Sequence, residues 1–231
     1  MLRIILAGFS GRMGDEVIQY CRKSQDLKIV AGFSRSIHPE KDCPVFTTPE
    51  QCNISADVLI DFSRPESIDH LLPYCISHRL PAVLGVTGYS QNQMQLIYSA
   101  CRSIPIFRAA NFSIGANTLL KLVQYAAISL AHGFDVDIIE RHHKNKLDSP
   151  SGTALLLSSL LQTESDIKSI RSGTTAGEHT VLFAGSNEVL TLTHRADTRE
   201  VYAAGAIRAA QFIVSKKTPG LYGMEDLLGN Q

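Results

Sequence analysis

The chain of 231 residues is long enough for one large domain or two small ones with a sizeable buried core. Hydrophobic residues make up 44% and charged residues 19%, which is typical of a globular protein and excludes a disordered one. The 22 basic residues balance the 22 acidic ones and are scattered, so no nucleic-acid partner and no membrane surface is expected. No apolar run approaches the roughly 20 residues of a membrane span.

The cysteines indicate a reducing compartment. They are odd in number, form no C-x-x-C pair and lie in the first half of the chain, at Cys21, Cys43, Cys52, Cys75 and Cys101. We expect reduced, mostly buried thiols in a cytoplasmic protein, with no metal bound through them. The apolar residues 1–7 run directly into a glycine turn without a cleavage site, which predicts a first strand rather than a signal peptide.

In chain order, the first hundred residues alternate between strand and helix patterns. Apolar runs predict strands at Leu2–Ala7, Leu27–Phe33, Ala56–Phe62, Pro81–Val86 and Ile104–Arg108. Helical spacing marks Gly11–Ser24, the segment after Ser63, and residues 90–102. The polar residues 34–56, interrupted by three prolines, predict loops with at most one short strand. Unbroken apolar strands separated by helices predict a doubly wound parallel sheet covered on both faces.

One of these helices has a specific predicted start. Ser63 is expected to cap it, because Pro65 and Glu66 follow at positions typical of a first helical turn. Ile68, Leu71, Leu72 and Cys75 continue the segment at helical spacing.

The second half of the chain loses the regular alternation. Helices are predicted over 114–132, 151–162 and 200–214, and strands over Phe134–His143, His179–Phe183 and Val189–His194. A short apolar segment near Met224–Leu228 ends the pattern. The predicted fold class is therefore α/β, with an N-terminal Rossmann-like doubly wound parallel sheet and a smaller α+β domain.

A glycine-rich turn joins the first strand to the first helix. The sequence Gly8-Phe9-Ser10-Gly11-Arg12-Met13-Gly14 has the spacing G-x-x-G-x-x-G, a variant of the dinucleotide fingerprint. Glycines let a pyrophosphate approach the backbone, and the helix N-terminus offers free amides and a favourable dipole. The pattern predicts dinucleotide binding; a purely structural turn is the alternative.

The end of the second strand bears on the choice of cofactor. NAD-selective folds place a carboxylate there, about 20 residues after the glycines, to bind the ribose hydroxyls. This chain has Gly32-Phe33-Ser34-Arg35-Ser36, without a carboxylate. Arg35 is predicted to contact a 2′-phosphate, although a solvated loop arginine has the same signature. The turns 85–88 and 109–113 follow later strands, and each could line the nicotinamide half of a cleft or be an ordinary loop.

A basic stretch at the end of a strand carries the candidate chemistry. The run Glu140-Arg141-His142-His143-Lys144-Asn145-Lys146 is followed by Asp148-Ser149-Pro150-Ser151-Gly152-Thr153-Ala154, which starts a helix. Cations beside a helix N-terminus form a carboxylate site, and histidine and lysine can transfer protons. A solvated charged face is the alternative. Zinc is not expected at His142 and His143, because adjacent strand residues point to opposite faces.

Together these motifs resemble the dihydrodipicolinate reductase family. The resemblance rests on G-F-S-G-R-M-G, A-A-N-F-S-I-G-A-N, E-R-H-H-K-N-K-L-D-S-P-S-G-T-A and A-G-E-H-T-V-L-F, and it covers essentially the whole chain. It implies NAD(P)H-dependent reduction of the conjugated imine formed from 4-hydroxy-tetrahydrodipicolinate, a step of lysine and diaminopimelate biosynthesis. Hydride would pass to the ring, and a proton would then reach the adjacent carbon.

The resemblance also implies roles for individual residues. His142 would be a proton donor or acceptor and Lys146 the proton donor, while His143, Ser151, Gly152 and Thr153 would hold the substrate carboxylates. NADPH or NADH would be held by Gly8, Phe9, Ser10, Gly11, Arg12, Met13, Arg35, Gly85, Val86, Thr87, Ala109, Ala110, Asn111 and Phe112. The resemblance allows both cofactors, and the expected preference for NADPH comes from Arg35 and the missing carboxylate after the second strand. Residues 1–112 with 200–231 would bind the cofactor, and residues 113–199 would bind substrate and form a homotetramer.

The chain departs from the family pattern in three places. Ser34 replaces a usual acidic residue, Val86 replaces a usual threonine, and the segment Thr163–Gly177 is shorter than usual. The short segment predicts a reduced sheet in the second domain, which bears on the tetramer contacts.

Two other functions fit part of the pattern. Another two-domain nicotinamide enzyme, such as an aspartate or homoserine dehydrogenase, would share the first 110 residues but has no need for His-His-x-x-Lys beside Ser-Gly-Thr. A non-catalytic NAD(P) sensor would bind cofactor without needing His142 or Lys146. Turnover of aspartate, homoserine or the semialdehyde would identify such a dehydrogenase. Unchanged function in the cell after His142 and Lys146 are both replaced by alanine would identify a sensor.

Overall fold

A computed structural model describes residues 1–36, 43–130, 132–161 and 165–229. The chain divides into two compact units, one made of Met1–Phe112 with Tyr202–Gln231 and the other of Ser113–Val201. Across the described residues, no helix is both long enough and apolar enough to cross a membrane.

The strands and helices follow the predicted order closely. The strands are β1 (Leu2–Ala7), β2 (Leu27–Phe33), β3 (Val45–Phe46), β4 (Val58–Asp61), β5 (Ala82–Leu84), β6 (Pro105–Arg108), β7 (Asp135–His142), β8 (Asp166–Arg171), β9 (Gly177–Ala184), β10 (Val189–Ala196) and β11 (Gly220–Tyr222). The helices are α1 (Arg12–Arg22), α2 (Ile68–Ser77), α3 (Gln91–Ala100), α4 (Ile114–Ser129), α5 (Gly152–Ser159), α6 (Glu200–Val214) and α7 (Met224–Leu228).

The first unit contains a parallel sheet with the strand order β11-β6-β5-β4-β1-β2-β3. Both faces are covered, since the consecutive residues Ile4, Ile5 and Leu6 are all fully buried. Helices α2 and α3 pack on the face that carries Ile5, and the ring contact between Phe107 and Phe212 brings α6 to the opposite face. The predicted fold class is confirmed for this unit. The strand order reverses between β1 and β4, the position where such sheets bind ligands.

The second unit is a mixed four-stranded sheet with the order β10-β9-β7-β8. Along β9 every second residue is buried, because successive side chains point to opposite faces. Helices α4 and α5 cover one face, where Leu119 and Leu157 pack with Ile138 and Val181. This is the smaller α+β domain that the sequence predicts.

The sequence patterns missed two edge strands. Strand β8 pairs in parallel with β7 over six positions and lies in the short segment 163–177, so this segment still contributes a strand to the sheet. Its sequence D-I-K-S-I-R is half exposed and lacks an apolar run. Strand β11 has only three residues and pairs with β6. Residues 163 and 164 lie outside the described chain.

Several predicted boundaries also shift. The helix predicted over 114–132 ends at Ser129, and the helix predicted over 151–162 ends at Ser159. The amide of Leu160 bonds to the carbonyl of Leu157, three residues back, which closes α5 with a tighter turn. Of the predicted loop 34–56, the described part contains the short strand β3, and residues 37–42 lie outside it, as do residues 131 and 162.

Ser63 does not cap the helix that follows it, contrary to the prediction. Its hydroxyl and its backbone amide both donate to Oδ1 of Asp61, the last residue of β4. Helix α2 is instead preceded by a single 3₁₀ turn, Pro65–Ser67, without a side-chain cap. Asp61 is fully buried and therefore takes the serine as its hydrogen-bond donor. The carboxylate thus fixes the turn after β4, at the edge where the strand order reverses.

Burial raises the pKa of Asp61 to about 6, against a hydrogen-bonding contribution from Ser63 that lowers it. Because the pKa of Asp61 is higher in the folded chain than in the unfolded chain, the protonated carboxyl favours folding. This contribution to stability is fully present below the unfolded pKa of 3.8 and is lost as pH rises through 6. Asp61→Asn keeps an acceptor oxygen for Ser63 but carries no charge. Its free energy of unfolding relative to wild type should therefore rise by about 2–3 kcal/mol between pH 4 and pH 7, measured by urea denaturation.

Asp57→Asn is the control of opposite sign. The hydrogen bond from Arg3 lowers the pKa of Asp57 below the unfolded value of 3.8, so the stability that this carboxylate contributes is present above pH 4 and is lost only as pH falls below that value. The variant should therefore be less stable than wild type above pH 4, by an amount that stays constant between pH 4 and pH 7 and shrinks at lower pH. A pH-independent difference between Asp61→Asn and wild type would contradict the assignment of Asp61.

Candidate active site

The glycine turn has the backbone geometry of a ligand-binding loop. Gly8 has φ of +78°, and a Cβ there would lie 2.5 Å from the carbonyl oxygen of Phe62. A Cβ at Gly14 would lie 2.3 Å from the carbonyl oxygen of Gly8. Only glycine therefore lets the turn close against both β4 and its own helix. Helix α1 starts at Arg12, so its N-terminal amides face the end of β1.

A cavity of about 320 Å³ opens beside this turn, at the carboxyl ends of β1, β2 and β4. Its polar lining includes Ser10 and Ser34, whose hydroxyls are 2.8 Å apart. Four predicted cofactor residues line it, namely Gly8, Ser10, Gly11 and Arg35. The sequence analysis did not predict a cofactor contact for the further lining residues Thr47, Phe62, Ser63, Arg64, Ser67 and His70. Their signal was the position of residues 62–64 immediately after a buried strand.

The other predicted cofactor residues do not line this cavity in the described chain. Phe9 is buried beneath the turn, where its ring lies against Gly32. Arg12 is exposed and Met13 half-buried in the first turn of α1. Residues Gly85, Val86 and Thr87 follow β5, and residues Ala109, Ala110, Asn111 and Phe112 follow β6. Both segments lie at the same carboxyl edge of the parallel sheet as Gly8, and the Phe112 ring packs 5.6 Å from that of Phe62.

A cluster of buried polar side chains lies in the second unit, at the end of β7. Glu140 and His142 are two residues apart, so both point to the face covered by α4 and α5. The His142 Nδ1 and Glu140 Oε2 atoms are 2.5 Å apart. On β8, Arg171 Nη2 donates to Glu140 Oε1 at 2.6 Å. On β9, His179 lies directly opposite Glu140, and its ring centroid is 5.2 Å from that of His142.

The cluster combines one ionised carboxylate with histidines whose pKa is lowered. Burial alone would raise the pKa of Glu140, but hydrogen bonds, chiefly those from Arg171 and His142, outweigh it and lower the pKa to about 2. Burial lowers the pKa of His142, against the opposing effect of Glu140. Burial also lowers the pKa of His179 to about 4. Near neutral pH, Glu140 is therefore an anion and His179 is uncharged.

The start of α5 faces the same cluster. Ser151 Oγ accepts the amide of Ala154 and lies 3.0 Å from His179 Nε2, while the Ser151 amide donates to Glu140 Oε1. The amides of Gly152 and Thr153 belong to the first turn, where amides point out of the helix end. This end can bind a carboxylate through backbone amides.

The loop between β7 and α5 carries the predicted lysine. Lys146 Nζ is 2.8 Å from Asp148 Oδ1, and the Lys146 side chain is mostly shielded from solvent. The amide of His143 bonds to the carbonyl of Thr175, which ties the loop to the start of β9. The predicted residues His142, His143, Lys146, Ser151, Gly152 and Thr153 are thus all in the segment that runs from β7 into α5.

Sequence reasoning missed three members of this cluster. Glu140 was visible next to the histidine pair, and its signal was the alternation that puts it on the same strand face as His142. Arg171 and His179 lie on other strands, so only the sheet register brings them to the site. Ligand atoms of Glu140, His142 and His179 lie within 4.8 Å of one another, a spacing that a metal ion could use. Here the same atoms take part in hydrogen bonds with Arg171, Ser151 and each other.

Comparison with known proteins covers both units. The family description "Dihydrodipicolinate reductase, N-terminus" matches residues 2–112, and "Dihydrodipicolinate reductase, C-terminus" matches residues 115–228. The chain is 38% identical to the 4-hydroxy-tetrahydrodipicolinate reductase of Caldanaerobacter subterraneus subsp. tengcongensis, over 99% of this chain and 98% of that protein. It is 39% identical to the enzyme of the same name from Clostridium tetani, over 100% of this chain and 98% of that protein.

Solved structures show the same two-unit likeness at different levels of identity. A dipicolinate-bound dihydrodipicolinate reductase from Paenisporosarcina sp. TG-14 has a TM-score of 0.84 and 25% identity, over 98% of this chain and 99% of that one. The aspartate dehydrogenase of Thermotoga maritima has a TM-score of 0.54 and 8% identity, over 94% of this chain and 98% of that one, which is a likeness of fold alone. On the match of both family descriptions and on these relatives, the chain belongs to the dihydrodipicolinate reductase family.

Proposed function

We propose that this protein reduces 4-hydroxy-tetrahydrodipicolinate (dihydrodipicolinate) to tetrahydrodipicolinate with NAD(P)H, in lysine and diaminopimelate biosynthesis. The observation that carries the proposal is the assembly, within the second unit, of His142, the Lys146 loop and the amide end of α5 around one buried cluster. The Paenisporosarcina relative, which is described as dipicolinate-bound, supports a planar dicarboxylate as the ligand.

In this proposal the second unit, residues 113–199, binds the substrate. The Gly152 and Thr153 amides, with Ser151 and His143, hold the two carboxylates, because a helix N-terminus favours anions. Lys146 donates a proton to the ring carbon next to the one that is reduced, and leaves its contact with Asp148 to do so. His142 is the second proton-handling group, as donor or acceptor.

Residues 1–112 with 200–231 bind the dinucleotide. The glycine turn, the α1 amides and the cavity at the sheet reversal fit a pyrophosphate and a ribose. When bound, the nicotinamide supplies the hydride that enters the substrate ring. Gly85–Thr87 and Ala109–Phe112, at the same carboxyl edge, are the proposed contacts of the nicotinamide half.

The test is oxidation of NADPH coupled to enzymatically made dihydrodipicolinate. Lys146→Ala should lower kcat by roughly 10²-fold or more, because general-acid catalysis is lost, and should leave the KM for cofactor unchanged. Lys144→Ala, in the same loop but exposed, is the matched control and should keep the wild-type kcat. No turnover by wild type would refute the proposed function, and an unchanged kcat in Lys146→Ala would remove that residue from the reaction.

We also propose that NADPH is preferred over NADH. Arg35 and Ser34 both line the cavity of the first unit, and among the residues that the structure describes no carboxylate lines it that would repel a 2′-phosphate. A guanidinium can bind such a phosphate through two hydrogen bonds, and the serine hydroxyls beside it add donors.

Arg35→Ala should raise the KM for NADPH and leave the KM for NADH nearly unchanged. A charge-assisted hydrogen bond contributes roughly 1.5–3 kcal/mol, so the expected rise is about 10- to 150-fold, larger at low salt. NADH serves as the internal control in the same assay. Equal weakening of both cofactors, or a wild type that prefers NADH, would show that Arg35 is a solvated side chain.

We also propose that the chain forms a homotetramer through the sheet of the second unit. The face away from α4 and α5 carries Ile139, Leu182 and the hydrogen-bonded pair Thr180 and Thr193, none of them fully buried. A second sheet packed on this face would shield these residues. The buried thiols of Cys21, Cys52 and Cys75, which form no disulfide in the described part of the chain, support a reducing location, which we propose to be the cytoplasm.

Light scattering should find four chains of 25.3 kDa each in the wild-type particle. Leu182→Glu should reduce the particle to smaller species, because a charge would be buried at the interface. Leu122→Glu, on the exposed side of α4, should keep the wild-type mass. A monomeric wild type would contradict the assembly without affecting the proposed reaction.

A further inference from the structure

We propose that Glu140, itself held by Arg171, is a positioning residue that fixes the ring of His142 with its proton on Nδ1 and its Nε2 free to accept a hydrogen bond. The inference rests on the proposed function of this site and assigns His142 the role of acceptor. Lys146 is then the group that delivers the proton.

The first step is the contact between Glu140 and His142. Both side chains are buried, with 0% and 7% exposure, so their mutual contact is not replaced by solvent. Glu140 Oε2 lies 2.5 Å from His142 Nδ1. An ionised carboxylate can only accept, so Nδ1 must donate. In the uncharged ring the other nitrogen, Nε2, then carries the lone pair.

The second step is what keeps Glu140 in place. Its other oxygen, Oε1, accepts from Arg171 Nη2 at 2.6 Å and from the Ser151 amide at 3.3 Å. Arg171 Nη2 also donates to the carbonyl of Asp148 at 2.7 Å. One arginine therefore connects the carboxylate to the loop in which Asp148 holds Lys146. Arg171 therefore helps to fix both the orientation of His142 and the position of Lys146 beside Asp148.

The third step concerns the surroundings of His142 Nε2. A Cβ on Gly177 would lie 2.9 Å from this nitrogen, so a glycine is needed at the start of β9 for the ring to keep its orientation. The charged and titratable groups that act on His142 are Glu140, Lys146, Arg171 and the neighbouring His179. Burial and the two cations lower the pKa of His142 and outweigh Glu140, which raises it. The uncharged ring keeps its one proton on Nδ1, because Nδ1 faces the carboxylate. A ring in this state accepts at Nε2 and cannot act as the acid.

The decisive measurement is nitrogen NMR of the full-length protein with labelled histidine, with the His142 signals identified by their loss in His142→Asn. We expect protonated Nδ1 and unprotonated Nε2 in wild type at pH 7, and a mixture of both tautomers in Glu140→Gln. A wild type with its proton on Nε2 overturns the proposal. Because this readout needs no turnover, it is independent of the proposed reaction.

Kinetics gives the second readout. Glu140→Gln should lower kcat by about 10- to 100-fold, by analogy with metal-binding histidines that lose the carboxylate that orients them, without changing the KM for NADPH. Glu188→Gln, the same substitution in the exposed turn between β9 and β10, should behave as wild type. A wild-type kcat in Glu140→Gln overturns the proposal.

The experiments distinguish a variant that fails to fold from a failure of the proposal, and they distinguish the tautomer assignment from the proposed function. If Glu140→Gln does not fold, Arg171→Lys removes the guanidinium that fixes Glu140, so the carboxylate loses its defined position and the same mixture of tautomers and loss of kcat are expected there. If wild type has the Nδ1 proton but never reduces dihydrodipicolinate, the proposed function fails while the tautomer assignment stands.

Discussion

Much of the second unit is arranged around one buried charge, the carboxylate of Glu140. A carboxylate removed from water must be paired and hydrogen-bonded, or the fold loses several kcal/mol. Its partners come from β7, β8 and the cap of α5, so meeting this requirement fixes those three elements against each other. Removal of Glu140 or of one of its partners would leave a buried charged or polar group without its hydrogen bond. The same contacts orient His142, so stability and chemistry rest on one set of hydrogen bonds.

The first unit shows the same principle with a different carboxylate. Asp61 ends β4 and holds the Ser63 turn, which lines the cavity at the reversal of strand order. In both units a buried acid at the end of a strand determines the shape of the adjoining loop. The residues proposed to hold the ligands, the glycines of the first turn and the amides of α5, contribute mainly backbone groups.

The fold is shared more widely than the site. Dehydrogenases with 8–14% identity reach TM-scores of 0.54–0.61, which reflects the nucleotide-binding architecture and no particular substrate. The family assignment instead depends on matches that run through both units. The His-His-x-x-Lys segment and the Ser-Gly-Thr helix start are the residues of the second unit that set it apart from the rival dehydrogenase reading.

The sequence by itself determined the parallel sheet, the glycine turn and the segment from β7 to α5, because each depends on residues close together in the chain. Apolar runs, glycine spacing and the Ser-Gly-Thr helix start are local signals. The sequence could not reveal β8 and β11, whose short or half-polar edge strands gain stability only from a neighbouring strand. Nor could it assign Ser63 to Asp61, or bring Arg171 and His179 to Glu140. Those contacts are decided by strand register and burial, and these exist only once the sheets have formed.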